Sequence, residues 1–136
     1  MVRPICHDKA FLSKKSEPAT KDDLPVIQDL MDTFIFHQPD CVGMAANMIG
    51  VAKSIIVVRD GPIAFTLLNP VLLSTQDPYE VSEACLCLRG DRKVWRYKTI
   101  VVSYQDEEFK RFQSTFHGLV AEIIQHEMNH LEGILI

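Results

Sequence analysis

The chain has 136 residues, 47% of them hydrophobic and 24% charged, a composition typical of a single globular domain with a true core. Its formal net charge is −4 and it has no basic block, so nucleic acid and anionic membrane surfaces are not expected as direct ligands. No apolar run approaches the roughly 18–20 residues that span a bilayer, and residues 1–8 lack the apolar core of a secretory signal, so the expected location is the cytoplasm.

The first predicted element is a helix that begins near Asp22-Asp23-Leu24-Pro25, where acidic capping residues come before a proline in the first turn. Gln38-Pro39-Asp40 is expected to end it. Between these points apolar residues recur at helical spacing and predict one buried face. The residues of that face are Ile27, Leu30, Met31, Phe34 and Ile35.

The middle of the chain predicts antiparallel strands. A first hairpin joins Ser54–Val58 to Ala64–Leu68 across the turn Asp60-Gly61-Pro62, and Asn69-Pro70 follows it. Arg89–Lys93 is expected to be a solvated loop. Alternating apolar residues then predict three further strands, at Val94–Tyr97, Ile100–Tyr104 and Phe109–Phe116.

A last helix is predicted from His117 to Glu132, with Gly133 as its stop. A helix, several antiparallel strands and a second helix together indicate an α+β fold, in which antiparallel sheets pack around the C-terminal helix. Residues 1–136 are expected to form one domain.

This last helix carries the clearest chemical pattern in the chain, Gln125-His126-Glu127-Met128-Asn129-His130. His126 and His130 are four residues apart, so their rings share one helix face, about 5–6 Å apart at Cβ, and can share a metal ion. Glu127 flanks the pair and can reach a water molecule at the ion, as in the H-E-x-x-H pattern of zinc hydrolases. Taken alone, the pattern also fits a solvated polar helix face.

A catalytic metal site needs a third protein ligand and one open position. Glu132 follows His130 by two residues, a spacing that points elsewhere on the helix, so the third ligand is expected upstream. The segment Glu83-Ala84-Cys85-Leu86-Cys87 offers thiolates there. The chain has four cysteines, and because no export signal is present they are expected to be reduced rather than paired in disulfides.

Three segments, in this order, resemble the motifs G-φ-G-φ-A-A-x-Q, E-G-C-φ-S and Q-H-E-x-D-H-L of the peptide deformylase family. In this chain they are Cys41–Met48 (CVGMAANM), Glu83–Cys87 (EACLC) and Gln125–Leu131 (QHEMNHL). The similarity extends to Leu68-Asn69-Pro70 and Val94–Tyr97, and so covers most of the chain. Because the order and spacing of three motifs agree, the chain is identified as a member of that family.

The resemblance implies a metal-dependent amidohydrolase that removes the formyl group from N-terminal formylmethionine of nascent peptides, with the ribosome as a candidate partner. It implies that Cys85, His126 and His130 hold one divalent transition metal ion. The family typically uses Fe²⁺, with Zn²⁺, Ni²⁺ or Co²⁺ as substitutes, and a ligand set of one thiolate and two imidazoles does not choose among them. The other implied site residues are Glu127 as general base, Leu86 and Met48 as further catalytic positions, and Gly43, Ala84 and Ile123 as substrate contacts.

Two departures from the family lie in the first motif. Met48 stands where the family has a glutamine whose amide resembles an oxyanion-hole donor, and a thioether has no N–H to donate. The loss of one such donor typically lowers turnover by about 10²–10³. Cys41 replaces a glycine, so backbone strain or a different loop path is expected if that position needs a positive φ.

The other departures surround the implied metal ligands. Ala84 and Cys87 replace glycine and serine, and Asn129 replaces aspartate. Because strand side chains repeat every two residues, Cys87 is expected on the same side as Cys85, where it can compete as a ligand.

Three functions remain open from the sequence. The first is the deformylase activity itself, weakened by Met48. The second is a catalytically impaired paralogue that acts as a metal-containing peptide-binding protein, a hypothesis that the retention of Glu127 disfavours. The third is a metal hydrolase that acts on another N-acylated substrate.

Overall fold

Five strands form one antiparallel sheet in which every strand pairs with its neighbours in sequence. The computed structural model describes residues 1–136. The strands are β1 (Gly43–Ala45), β2 (Ile55–Asp60), β3 (Ile63–Cys85), β4 (Leu88–Gln105) and β5 (Arg111–His117).

Three helices accompany the sheet: α1 (Lys9–Leu12), α2 (Leu24–His37) and α3 (Gly118–Leu131). Helix α3 packs against β1, β2 and β4, and its residues Ala121 and Ile124 are fully buried. The predicted α+β class, with antiparallel strands around a C-terminal helix that carries the H-E-x-x-H motif, is confirmed. No helix is long and apolar enough to cross a membrane.

The predicted start and end of α2 are confirmed, but one residue of its predicted buried face is wrong. Ile27, Leu30 and Phe34 are at most 2% exposed, whereas Ile35 is 55% exposed. Phe34 already fills the core at that turn, and the next residue along a helix is turned about 100° away from it.

The predicted strands between Ala64 and Tyr104 are parts of one long hairpin, made of β3 and β4. Asn69-Pro70 does not end a strand, because a register shift between Leu68 and Val71 accommodates it. The Asn69 side chain accepts a hydrogen bond from Ala19 N at 2.8 Å, which ties this irregular point to the N-terminal segment.

The prediction of a solvated loop at Arg89–Lys93 is wrong, since these residues lie within β4. Cys85 pairs with Leu88 across a turn of only two residues, Leu86 and Cys87. Charged side chains are compatible with this part of β4 because most of them are exposed.

The predicted stop of α3 is confirmed at Gly133, which has φ 76°. Its N–H donates to His130 O at 3.0 Å, and the next N–H, of Ile134, donates to Asn129 O at 3.0 Å. A Cβ at this position would lie 2.4 Å from Ser13 O, so only glycine fits.

Candidate metal centre and active site

Two elements bring the predicted metal ligands together. Cys85 is the last residue of β3, and His126 and His130 lie on the buried face of α3. The Cys85 Sγ atom is 3.3 Å from His130 Nε2, which is 3.2 Å from His126 Nε2. The spacing of four residues therefore places both rings on one face, as predicted, and the end of β3 supplies a thiol beside them.

A buried ion-pair network holds the ring of His126. Its Nδ1 donates to Glu83 Oε1 at 2.7 Å, which leaves Nε2 directed towards Cys85 and His130. Arg96 of β4 is 4% exposed and donates to both carboxylate oxygens of Glu83, and its Nη1 donates to Asn129 Oδ1 at 2.6 Å. This arrangement fixes the orientation of a metal-binding imidazole through its other nitrogen.

The charges around these rings favour a cation. Burial alone would raise the pKa of Glu83, but hydrogen bonds from His126 and Arg96 outweigh it and lower the pKa to about 2. Burial alone would lower the pKa of His126, but hydrogen bonds with Cys85 and Glu83 raise it to about 10. Surroundings that favour a proton on this ring also favour a divalent ion at the same place.

Glu127 lies beside the two imidazoles and is 3% exposed. Its Oε1 atom is buried without a hydrogen-bond partner, and burial raises the pKa of the carboxyl group to about 7. The close approach of Gly43 to α3 makes room for it, since a Cβ there would lie 2.9 Å from Glu127 Oε2 and 2.6 Å from Ile123 Cγ2. A carboxyl group with a pKa near neutrality suits proton transfer in both directions.

A cleft of about 270 Å³ opens over these residues. Eight of the nine predicted site residues line it, and the ninth, His130, lies beneath at 1% exposure. The eight are Gly43, Met48, Ala84, Cys85, Leu86, Ile123, His126 and Glu127. A separate, larger groove of about 870 Å³ contains none of the nine and only one carboxylate, that of Glu132. We locate the chemistry in the smaller cleft, because the convergent donor atoms are there.

Met48 both packs in the core and borders the cleft. It is 1% exposed, and its Sδ atom accepts a hydrogen bond from Ala45 N at 3.4 Å. The side chain therefore presents no donor to the cleft.

The strain considered for Cys41 is absent, because its φ does not lie in the left-handed region. Its Sγ donates to Gly43 O at 2.9 Å, and the loop accommodates it as a buried thiol. Burial raises its pKa to about 12, so it stays protonated.

Sequence reasoning gave no role to Arg96 or to Tyr79. The Tyr79 hydroxyl donates to Glu122 Oε1 at 3.0 Å, which accounts for a carboxyl group at the cleft wall. Desolvation, followed by a hydrogen bond with Glu83, raises the pKa of Glu122. The only sequence signal for Arg96 was its place in a segment similar to the family.

The residues fit a divalent transition metal ion. A thiol and two imidazole nitrogens face one another at 3.2–3.3 Å, and a carboxylate oxygen with no partner lies beside them. The end of a strand and an H-E-x-x-H helix together supply three nitrogen or sulfur donors next to a cleft. This arrangement defines the class of mononuclear metal hydrolases.

Comparisons with known proteins give the particular family. The polypeptide deformylase family model matches residues 2–136. The peptide deformylase of Clostridium beijerinckii is 51% identical over 136 residues, which are 100% of both chains, and that of Halothermothrix orenii is 34% identical over 97% of this chain and 84% of its own. The chain belongs to the polypeptide deformylase family.

Solved structures agree with this assignment. The peptide deformylase of Legionella pneumophila superposes with a TM-score of 0.88 at 31% identity, over 99% of this chain and 83% of its own. The Met-Ala-Ser-bound peptide deformylase of Acinetobacter baumannii has a TM-score of 0.90 at 24% identity, over 99% and 97%, and supports the fold. The family acts on formylated N-termini of nascent peptides with a single divalent metal ion.

Proposed function

We propose that this chain removes the formyl group from N-terminal formylmethionine of nascent peptides, with Fe²⁺ as the favoured ion and the cytoplasm, near the ribosome, as its place of action. One observation carries the proposal. Cys85, His126 and His130 converge beside Glu127 at the floor of the cleft, in a chain 51% identical over its whole length to a peptide deformylase.

Each residue of the cleft has a part in the proposed reaction. Cys85, His126 and His130 would hold the ion, which when bound supplies a Lewis acid and brings the pKa of a water molecule towards about 7. Glu127 accepts the proton of the attacking water at its free carboxylate oxygen and then delivers a proton to the leaving amine. The carboxylate of Glu83 keeps the His126 ring in place during both steps.

The substrate contacts follow from the lining of the cleft. Ile123 gives an apolar wall for the methionine side chain, and Ala84, at the end of β3, offers backbone groups to an extended peptide. Leu86 lies in the two-residue turn, and we assign its backbone N–H as the donor to the formyl oxygen, because Met48 offers none.

The test is turnover by anaerobically prepared protein of known metal content. Formyl-Met-Ala-Ser should release formate at a rate proportional to bound metal, and acetyl-Met-Ala-Ser should not be cleaved. Binding of the formyl peptide without formate release would favour the metal-containing peptide-binding protein instead. Cleavage of the acetyl peptide alone would favour a hydrolase of other specificity.

A further inference from the structure

A second thiol lies in the metal centre. Cys87 is the second residue of the turn between β3 and β4, is 1% exposed, and has its Sγ atom 3.2 Å from the Sγ atom of Cys85. The donor atoms of Cys85, Cys87 and His130 all lie within 4.8 Å of one another. The turn therefore folds the second thiol back over the same ligands rather than away from them.

The spacing matches the first coordination sphere of a tetrahedral ion. With bonds of about 2.3 Å to sulfur and 2.0–2.1 Å to nitrogen, neighbouring ligand atoms lie about 3.3–3.8 Å apart. The Cys85 Sγ atom lies 3.2 Å from Cys87 Sγ and 3.3 Å from His130 Nε2. The Nε2 atoms of His126 and His130 lie 3.2 Å apart. Small outward shifts of Cys85, Cys87 and His130 would admit an ion among these three donors, and the Nε2 atom of His126 lies beside that of His130.

The surroundings of Cys87 leave it available for this role. The Sγ atom of Cys87 makes its side-chain contact with Cys85 Sγ. The backbone carbonyl oxygen of Cys87 lies 3.0 Å from the Nδ1 atom of His7, and this contact fixes the turn to the N-terminal segment.

We infer that Cys87 is a fourth protein ligand, so that the resting metal centre is closed by two thiolates and two imidazoles. This inference rests on the proposed function, since it concerns the same ion. A site with two thiolates is softer than one with a single thiolate, so Zn²⁺, one of the substitutes for Fe²⁺, is a suitable probe ion for it. A closed site must release one ligand before water or substrate can enter, and Cys87 is the ligand that sits on a turn rather than on α3 or at the end of β3.

X-ray absorption at the zinc edge tests the inference by counting sulfur ligands in the reduced, zinc-loaded protein. We expect two sulfur atoms at about 2.3 Å in the wild type. Cys87→Ser and Cys85→Ser should each show one. The matched control, Cys6→Ser, removes a thiol outside the donor cluster and should keep two. A count of one sulfur ligand in the wild type would overturn the proposal. So would a count of no sulfur ligand in Cys85→Ser together with one in Cys87→Ser. The wild-type count decides the question even if a variant fails to fold.

Metal competition gives a second readout. Cys87→Ser should weaken Zn²⁺ affinity by at least about 10-fold relative to Cys6→Ser, because one of four ligands is lost. Unchanged affinity would contradict the inference. The deformylase assay separates the two proposals. Two sulfur ligands without formate release would support Cys87 as a ligand and contradict the proposed function. One sulfur ligand with formate release would support the proposed function and contradict Cys87 as a ligand.

Discussion

Glu127 packs against Gly43 of β1 and keeps one carboxylate oxygen without a hydrogen-bond partner. Glutamine fits the same space but cannot take up a proton, so Glu127→Gln should keep the metal and lower formyl-peptide turnover by at least about 10²-fold. Elemental analysis and formate release measure the two effects. Glu132→Gln, at an exposed position just past the end of α3, is the matched control and should behave as wild type. Wild-type rates in Glu127→Gln would place the base elsewhere.

The second prediction at the residue scale concerns the replacement of Met48 by glutamine. Its Sδ atom accepts from Ala45 N, and the carbonyl oxygen of a glutamine could accept the same bond while its amide N–H₂ turns to the cleft. Met48→Gln should therefore raise kcat by up to about 10²-fold with little change in KM, because the new donor stabilises charge that develops only in the transition state.

Steady-state kinetics on a formyl-Met peptide measure this gain. Met48→Leu is the control, since it keeps an apolar side chain and adds no donor, and it should show none. An unchanged kcat in Met48→Gln would mean that another group, such as the Leu86 N–H, already serves the formyl oxygen in full.

The metal-binding residues differ in how far sequence could predict them. The pairing of His126 with His130 follows from the helix period, which is local. Cys85 is 41 residues before His126, so the need for a third ligand indicated only its segment, and the family motifs were needed to choose Cys85 over Cys87. The role of Arg96 could not be assigned from the sequence, because it depends on hydrogen bonds from β4 to Glu83 of β3 and Asn129 of α3.

That meeting of three elements gives a prediction of its own. Arg96→Met keeps much of the side-chain volume but leaves the buried carboxylate of Glu83 with His126 as its one remaining partner, which should lower the free energy of unfolding by about 3–5 kcal/mol. Urea denaturation measures it. Arg89→Met, at an exposed position on the same strand, should change stability by no more than about 0.5 kcal/mol. A loss below about 1 kcal/mol for Arg96→Met would show that solvent or another cation compensates Glu83.

The lengths of the elements show where local signals fail. Helices α2 and α3 and the β2–β3 turn were predicted because capping residues, Pro and Gly act within a few positions, whereas the short helix α1 was not predicted. Asn69-Pro70 and Arg89–Lys93 carry the signals of breaks and loops, yet both lie inside strands of the β3–β4 hairpin. Strand pairing along the whole length of that hairpin outweighs these local preferences. Because the pairing joins residues that are far apart in the sequence, a short segment of sequence does not reveal it.

At the scale of the whole molecule, the metal centre joins the end of β3 to α3 and so ties the hairpin to the helix that packs on the sheet. An ion bound only by the folded chain stabilises it by about 4 kcal/mol when present at 1,000 times its Kd. Removing it with a chelator should therefore lower Tm by about 10–15 °C for a chain of 136 residues. Differential scanning calorimetry on metal-loaded and chelated protein measures the shift.

A pair of double variants identifies the source of that stabilisation. His126→Ala/His130→Ala removes both imidazoles of α3 and should bind little metal, so its Tm should not respond to the chelator. His37→Ala/His117→Ala changes two histidines outside the donor cluster and should keep the wild-type shift. Full metal content in the first variant would remove α3 from the centre. A chelator that strips the ion without moving Tm would mean that the buried network of Glu83, Arg96 and Asn129 already holds the hairpin to the helix.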